Sequence, residues 1–138
     1  MLNNKKYNGE QISNRQIKEL YDVAKSVAIP KVISDQMCSG GVGAAVLAKS
    51  GKIYTGVCID TDCSLGMCAE RNALSTMITN GDCDAQMVIA VTKLGQVIPP
   101  CGACREFMMQ LGNSEHIKVI IDNNGTAVNL EDLMPYPY

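Results

Sequence analysis

The chain has 138 residues, of which 46% are hydrophobic and 19% are charged; this composition predicts one folded domain spanning residues 1–138 and excludes a disordered chain. Its 12 basic and 14 acidic residues give a net charge of −2, and only 4% of its residues are aromatic. Both values argue against a nucleic-acid polymer as a partner, because phosphate backbones are bound by clustered Lys and Arg and single strands by aromatic stacking. No apolar stretch reaches the ~20 residues of a membrane helix, and the first ten residues lack the apolar core of a secretory leader, so we expect a cytoplasmic protein without membrane contact.

The first predicted element is an amphipathic helix. Apolar residues recur at helical spacing from Ile12 to Ala28, with Ser13 or Asn8 as the cap and Pro30 just beyond the end. An irregular stretch is predicted to follow, through residues 38–41.

The next two segments predict a β-hairpin. Residues 42–49 are small and apolar, residues 53–59 are β-branched and aromatic, and Ser50-Gly51 between them is typical of a turn. The remaining predicted elements are, in chain order, a loop over 60–66, a helix over 68–77 ended by Asn80-Gly81, a buried strand over 87–91, a helix over 104–111 closed by Gly112, a buried strand over 117–121, a turn at 123–125 and a short helix over 130–134.

This order of elements predicts an α/β fold, a three-layer α/β/α sandwich around one mixed β-sheet. The first pair of strands is expected to be antiparallel, and the two later strands to run parallel through helix crossovers.

Cysteine is unusually frequent, with seven residues in the chain. An odd number of cysteines without a secretory leader argues against a disulfide framework. In a reducing compartment this content indicates metal or thiol chemistry.

Two short segments carry the strongest chemical signal. Cys-Ala-Glu-Arg at 68–71 and Pro-Cys-Gly-Ala-Cys-Arg at 100–105 each stand where a predicted helix begins. The free N–H groups and the partial positive charge of a helix N-terminus favour the thiolate, which is the form that binds metal. Two such helix starts facing each other would hold Cys68, Cys101 and Cys104 around one Zn²⁺.

Three protein ligands leave one tetrahedral position open, as in catalytic rather than structural zinc sites. Glu70 stands two residues after Cys68, so its carboxylate could reach a water molecule at that position. A carboxylate beside such a water is typical of sites for metal-assisted hydrolysis.

These two segments resemble those of the cytidine deaminase family, in its small nucleoside-acting branch with three cysteine ligands. Weaker likenesses to the same family are found in the segments 42–45, 55–57 and 130–138. The resemblance implies that Cys68, Cys101 and Cys104 bind Zn²⁺ and that Glu70 carries protons. It also implies that the Ala69 backbone N–H holds the pyrimidine carbonyl, and that Arg71 offsets the charge of three thiolates.

The resemblance further implies the activity and the assembly. It implies a zinc-dependent hydrolase that converts cytidine or deoxycytidine to uridine or deoxyuridine and ammonia, in nucleoside metabolism and pyrimidine salvage. Its partner would be a small nucleoside or nucleoside-like substrate, and the protein would be a homotetramer, with Tyr138 reaching towards a neighbouring pocket.

The sequence departs from the family where the sugar is held. The usual Asn-x-Glu is replaced by Cys58-Ile59-Asp60, and Gly40-Gly41 stands in place of a Phe-Pro pair. We expect Cys58 and Asp60 to contact substrate, with a looser grip than an amide provides. An alternative substrate is therefore a cytosine-containing antibiotic such as blasticidin S, whose deaminase also lacks the usual sugar grip.

Other classes of function remain possible from the residues alone. The Cys-x-x-Cys pair is also found in thioredoxin-like redox sites. A fourth protein ligand, taken from Cys58, Cys63, Cys83 or His116, would make a non-catalytic structural zinc module. A deaminase that edits polynucleotides is disfavoured by the charge and the few aromatic residues.

Overall fold

The computed structural model describes residues 14–138, and these form one mixed sheet with helices on both faces. The elements are α1 (Asn14–Val27), β1 (Lys31–Ser34), β2 (Met37–Ala48), β3 (Ile53–Thr61), α2 (Ala69–Thr79), β4 (Ala85–Thr92), α3 (Gly102–Met109), β5 (Lys118–Ile120), β6 (Ala127–Asn129) and α4 (Leu130–Leu133). Short 3₁₀ turns lie at Asp62–Ser64 and Ser114–His116. The prediction of Ile12, Ser13 and Asn8 as the start and cap of the first helix lies outside the described residues.

The strand order is β1-β2-β4-β5-β6, with β3 paired to the other edge of β2. The β2–β3 and β2–β4 pairs are antiparallel, and β4 and β5 run parallel. Both predictions on strand direction are confirmed. The parallel pair requires a helical crossover, which is provided by α3 between the two strands.

The sheet is covered on both faces, which confirms the three-layer arrangement. Because successive side chains of a strand point to opposite faces, Ala44 and Val46 of β2 pack with α2 and α3. Ala45 and Leu47 pack on the other face with α1. The small alanines allow both helical layers to approach the central strand closely.

The prediction of an irregular stretch at 38–41 is wrong, because these residues lie within β2. Pairing with β1 and β3 carries the strand through them. The predicted irregularity is present only as a bulge between Ser39 and Gly43. Gly40 has φ +85°, and a Cβ there would lie 1.9 Å from the Ile29 carbonyl oxygen, so this position requires glycine.

Two strands were not predicted from the sequence, namely β1 and β6. Every residue of β1 is exposed, so the strand has no apolar face and no alternation to reveal it. β6 has three residues, which is too few for a periodic pattern. The helix predicted over 104–111 begins two residues earlier, at Gly102, and ends at Met109.

No helix within residues 14–138 is long and apolar enough to cross a membrane.

Close contact between β3 and α2 sets the position of the first cysteine segment. A Cβ on Gly56 would lie 2.3 Å from the Ala73 backbone nitrogen. The Asn72 side-chain amide also donates a 3.0 Å hydrogen bond to the Val57 carbonyl. The helix that begins beside Cys68 is therefore seated directly on the strand backbone.

We expect Gly56→Ala to destabilise the fold by about 2 kcal/mol or more, because the added methyl group meets helix backbone rather than a flexible side chain. Urea unfolding of the zinc-loaded protein measures the change. Gly41→Ala is the matched control, since a Cβ there would meet only the Cys58 sulfur at 3.8 Å. Equal stability of the two variants would contradict the close-packing argument.

Candidate active site

The two cysteine segments begin two helices, as predicted. Cys68 is the N-cap of α2 and Cys101 is the N-cap of α3, both with extended backbone. Cys104 lies in the first turn of α3. Neither N-cap side chain forms a regular capping hydrogen bond, and the two thiols lie next to each other.

The helix starts converge so that three thiols meet. The Sγ atoms of Cys68, Cys101 and Cys104 all lie within 4.8 Å of one another, and those of Cys68 and Cys101 are 3.3 Å apart. Thiolates bound to one zinc at ~2.3 Å in a tetrahedron stand about 3.8 Å apart. The three soft sulfur donors therefore fit Zn²⁺ in both chemistry and spacing.

The group has three ligand residues and no fourth from the described part of the chain. It is the only cluster of three or more metal-binding side chains within residues 14–138, and Cys58, Cys63, Cys83 and His116 lie outside it. Cys104 is buried and Cys101 is exposed, so the site is open on the Cys101 side. Three ligands with an open side are typical of catalytic zinc.

Electrostatics differ among the three cysteines. Burial, together with the nearby Glu70 charge, raises the pKa of Cys104. Partial burial and contact with Cys101 raise the pKa of Cys68. Partial burial also opposes ionisation of Cys101, but the backbone N–H groups of Cys104 and Ala103 stabilise its thiolate, and its pKa is lowered overall. The predicted effect of a helix N-terminus on a thiol is therefore found at Cys101 but not at Cys68, where burial and the neighbouring thiol outweigh it.

Glu70 lies within the site. Its side chain is 5% exposed, and it is the only buried charged residue in the described part of the chain. The Cys104 thiol donates to its Oε2 atom over 3.7 Å. Burial is the main cause that raises the pKa of Glu70 above its ordinary value. A carboxyl group of this kind can take up and release a proton closer to neutral pH.

Two arginines support the site in different ways. Desolvation lowers the pKa of Arg71, but hydrogen bonding to Cys68 and the charge of Cys104 outweigh it and raise that pKa overall. Arg71 is thus the cation next to the thiols. Arg105 donates from Nε to the Pro100 carbonyl at 2.8 Å and from Nη1 to the Leu133 carbonyl at 3.1 Å. It fixes the turn before Cys101 against the C-terminal segment.

The strand that precedes the first metal segment returns beside it. Ile59 of β3 and Met67 exchange two backbone hydrogen bonds of 2.9 Å in an antiparallel bridge, so Cys58 and Cys68 flank this bridge on the same side. Cys58 and Cys68 also pack against the same core. Of the two residues predicted to contact the sugar, Cys58 is therefore brought to the face that carries the metal ligands, and Asp60 lies two residues further along β3.

Contacts of Cys58 and Asp60 involve a residue that the sequence reasoning missed. The Val42 N–H donates to Cys58 Sγ at 3.2 Å. The Cys58 thiol lies 4.0 Å from Asp60 Oδ2, and the Cys38 thiol lies 3.9 Å from the same oxygen. The residue that was missed is Cys38. No local sequence pattern placed it opposite Asp60, because its segment was not predicted to be a strand.

A family model for the zinc-binding region of cytidine and deoxycytidylate deaminases matches residues 14–120. A cytidine deaminase of Halalkalibacterium halodurans is 40% identical over 99 residues, which are 68% of this chain and 74% of that protein. A blasticidin-S deaminase of Bacillus cereus is 32% identical over 108 residues, 70% of this chain and 76% of that protein. A probable cytidine deaminase of Dictyostelium discoideum is 33% identical over 96 residues, 68% of this chain and 65% of that protein.

The fold is also that of known deaminases. The crystal structure of a cytidine deaminase from Mycobacterium tuberculosis matches with a TM-score of 0.73 at 26% identity, over 88% of this chain and 95% of that chain. The site and fold thus define a zinc-dependent hydrolase. The chain belongs to the cytidine and deoxycytidylate deaminase family, and zinc is its cofactor.

We expect the purified protein to contain one zinc per chain, and Ser in place of Cys68, Cys101 or Cys104 to reduce the zinc content sharply, because a hydroxyl is a poor ligand for this metal. Metal analysis by mass spectrometry measures the content. Cys83→Ser is the control, since Cys83 is exposed and lies outside the thiol cluster. Full zinc in the Cys68→Ser protein would refute the ligand set.

Proposed function

We propose that this protein catalyses the hydrolytic deamination of a cytosine nucleoside, which converts cytidine or deoxycytidine to uridine or deoxyuridine with release of ammonia. The observation that carries the proposal is the contact between a buried glutamate and a three-thiol metal site, Glu70 against Cys104. The role would be in nucleoside metabolism and pyrimidine salvage.

Cys68, Cys101 and Cys104 are the proposed zinc ligands. Zinc supplies Lewis acidity, which makes water an effective nucleophile at neutral pH. The partial charge of the two helix starts and the guanidinium of Arg71 offset the negative charge of the thiolates.

Glu70 is the proposed proton carrier. Its carboxylate takes the proton that the attacking water loses, and passes it to the ring nitrogen next to the amine-bearing carbon. Glu70 then takes the remaining hydroxyl proton from that carbon and delivers it to the amine, which leaves as ammonia while the carbonyl forms. The raised pKa of Glu70 supports this role, because one group must both accept and donate during the reaction.

The pyrimidine ring is oriented by backbone and strand groups. The first N–H groups of α2 have no partner within the helix, and Ala69 at this position is buried. Its N–H is the proposed donor to the pyrimidine carbonyl. Cys58 and Asp60, on the strand beside Cys68, are the proposed contacts on the sugar side.

Charge on the sugar side supports a nucleoside rather than a nucleotide substrate. β2 and β3 contain no Lys or Arg, and exposed Asp60 and Asp62 stand at the end of β3. A phosphate group beside Asp60 and Asp62 would meet like charge. Deoxycytidylate is therefore a disfavoured substrate.

Blasticidin S is a second candidate substrate. The Cys58 sulfur already receives the Val42 N–H, and a thiol cannot replace the two-way hydrogen bonding of an amide. The sugar grip therefore depends on the Asp60 carboxylate, which suits an arm with O–H or charged N–H donors. The blasticidin-S deaminase relative supports the same alternative.

A non-catalytic zinc module is the alternative from another class. It is disfavoured because a structural site closes its fourth position with protein, whereas the described chain offers three ligands and a buried carboxylate beside them. A redox role for Cys101 and Cys104 is disfavoured, because it would not explain why Cys68 and Glu70 lie in contact with them.

The proposal includes one domain over residues 1–138, a homotetrameric assembly and a cytoplasmic location. Exposed apolar side chains support assembly, since Val32, Leu65 and Tyr136 are 79%, 81% and 92% exposed. All seven cysteines are free, which suits a reducing compartment.

We expect Glu70→Gln to retain zinc and the fold but to lose at least about 100-fold in kcat, because general acid–base groups contribute roughly 10²–10⁴. Ammonia release from cytidine measures the rate. Glu115→Gln, at an exposed glutamate beside His116, is the control. A Glu70→Gln rate within about threefold of wild type would contradict the proton-carrier role.

We expect kcat/KM for cytidine or deoxycytidine to exceed that for deoxycytidylate by at least about tenfold, because of like-charge repulsion at Asp60. Added salt and Asp60→Asn should both narrow this difference. The same assay with blasticidin S decides between the two candidate substrates. A preference for the monophosphate would overturn the nucleoside assignment.

A further inference from the structure

A bulge in β2 gives Cys58 a structural task. The β2–β3 register shifts between Ser39 and Gly43, so the regular ladder is interrupted there. The Val42 N–H in this gap donates to Cys58 Sγ at 3.2 Å. The thiol therefore acts as an acceptor within the bulge, and this bond orients the Cys58 side chain.

Two thiols from neighbouring strands meet one carboxylate oxygen. Cys38 lies directly opposite Asp60 in the β2–β3 register. Its Sγ is 3.9 Å from Asp60 Oδ2, and the Cys58 Sγ is 4.0 Å from the same oxygen. Each thiol is a weak donor, but both act on Oδ2.

The second oxygen of this carboxylate is left available. Within residues 14–138, Asp60 Oδ1 has no hydrogen-bond partner, and Asp60 forms no ion pair. Asp60 is exposed, whereas Cys58 is half-buried between it and the core beside Cys68. Side chains 58 and 60 share one face of the strand, so Asp60 lies further out along the face that leads to Cys68.

We propose that Cys38 is a positioning residue for substrate: with Cys58 it holds Oδ2 of Asp60, so that Oδ1 faces a donor group on the non-pyrimidine part of the substrate. The ligand class is a cytosine compound whose arm presents an O–H or N–H group. This inference deepens the proposed function and depends on it for the identity of the pocket. The sequence predicts that Cys58 and Asp60 both contact substrate. In this inference Asp60 contacts substrate, whereas Cys58 and Cys38 act by positioning Asp60.

The experiment is a double-substitution cycle on zinc-loaded protein. Cys38→Ala should weaken the binding of uridine, and raise KM for cytidine, by about 3- to 10-fold, as expected for loss of one hydrogen bond. The value of kcat should stay within about twofold, because Cys38 lies away from the metal ligands. Cys38→Ser should restore most of the affinity, since the hydroxyl is also a donor.

The double-substitution cycle distinguishes a positioning role of Cys38, which acts through Asp60, from a general effect of its substitution on the fold. In an Asp60→Asn background, Cys38→Ala should add less than about twofold, because residues that act through one contact are not additive. Cys83→Ala, at another exposed free cysteine, should leave the affinity unchanged. Thermal unfolding of Cys38→Ala should match wild type.

Two results would overturn the inference: unchanged uridine affinity in Cys38→Ala, or an equal loss with and without Asp60→Asn. Binding of uridine by calorimetry requires no turnover, so it distinguishes this inference from the proposed function. If no cytosine compound is deaminated but uridine binding follows the predicted cycle, the proposed function fails and the positioning role stands.

Discussion

The convergence of two helix N-termini on one face of the sheet is the constraint on which the rest of this structure depends. Each helix starts at a cysteine, so the convergence brings Cys68 of α2 to Cys101 and Cys104 of α3. α2 is seated by the close approach of its backbone to Gly56. α3 is seated because it must cross from β4 to the parallel strand β5. Together, the glycine contact and the strand crossover place the three thiols within reach of one metal ion.

The three thiols and Glu70 concentrate negative charge in one site. Groups close to them in the fold offset this charge. The helix N–H groups stabilise the Cys101 thiolate, and Arg71 stands beside Cys68 and Cys104. Burial acts in the opposite direction on Glu70, since it favours the protonated carboxyl. One turn of α2 therefore carries a thiol of the metal cluster, a buried carboxyl group and a cation, each in a different electrostatic environment.

Five of the cysteines fall into two groups with different tasks. Cys68, Cys101 and Cys104 form the metal site, which opens towards solvent at Cys101. Cys38 and Cys58 lie on paired strands and contact the Asp60 carboxylate. Five of the seven cysteines are thus accounted for by two clusters, one of three thiols and one of two thiols against a carboxylate.

The sequence by itself determined the parts of this protein that depend on short spacings. Cys68 and Glu70 share one helical turn, as do Cys101 and Cys104, so their proximity follows from local geometry, and the apolar runs of β2, β4 and β5 followed from burial. Only the tertiary structure decided the rest. The exposed strand β1 has no burial pattern, and β2 continues through its glycines only because two neighbouring strands pair with it. The meeting of Cys38 with Asp60, 22 residues apart, depends on strand register and a bulge, which are set by pairing between distant segments and leave no mark in the local sequence.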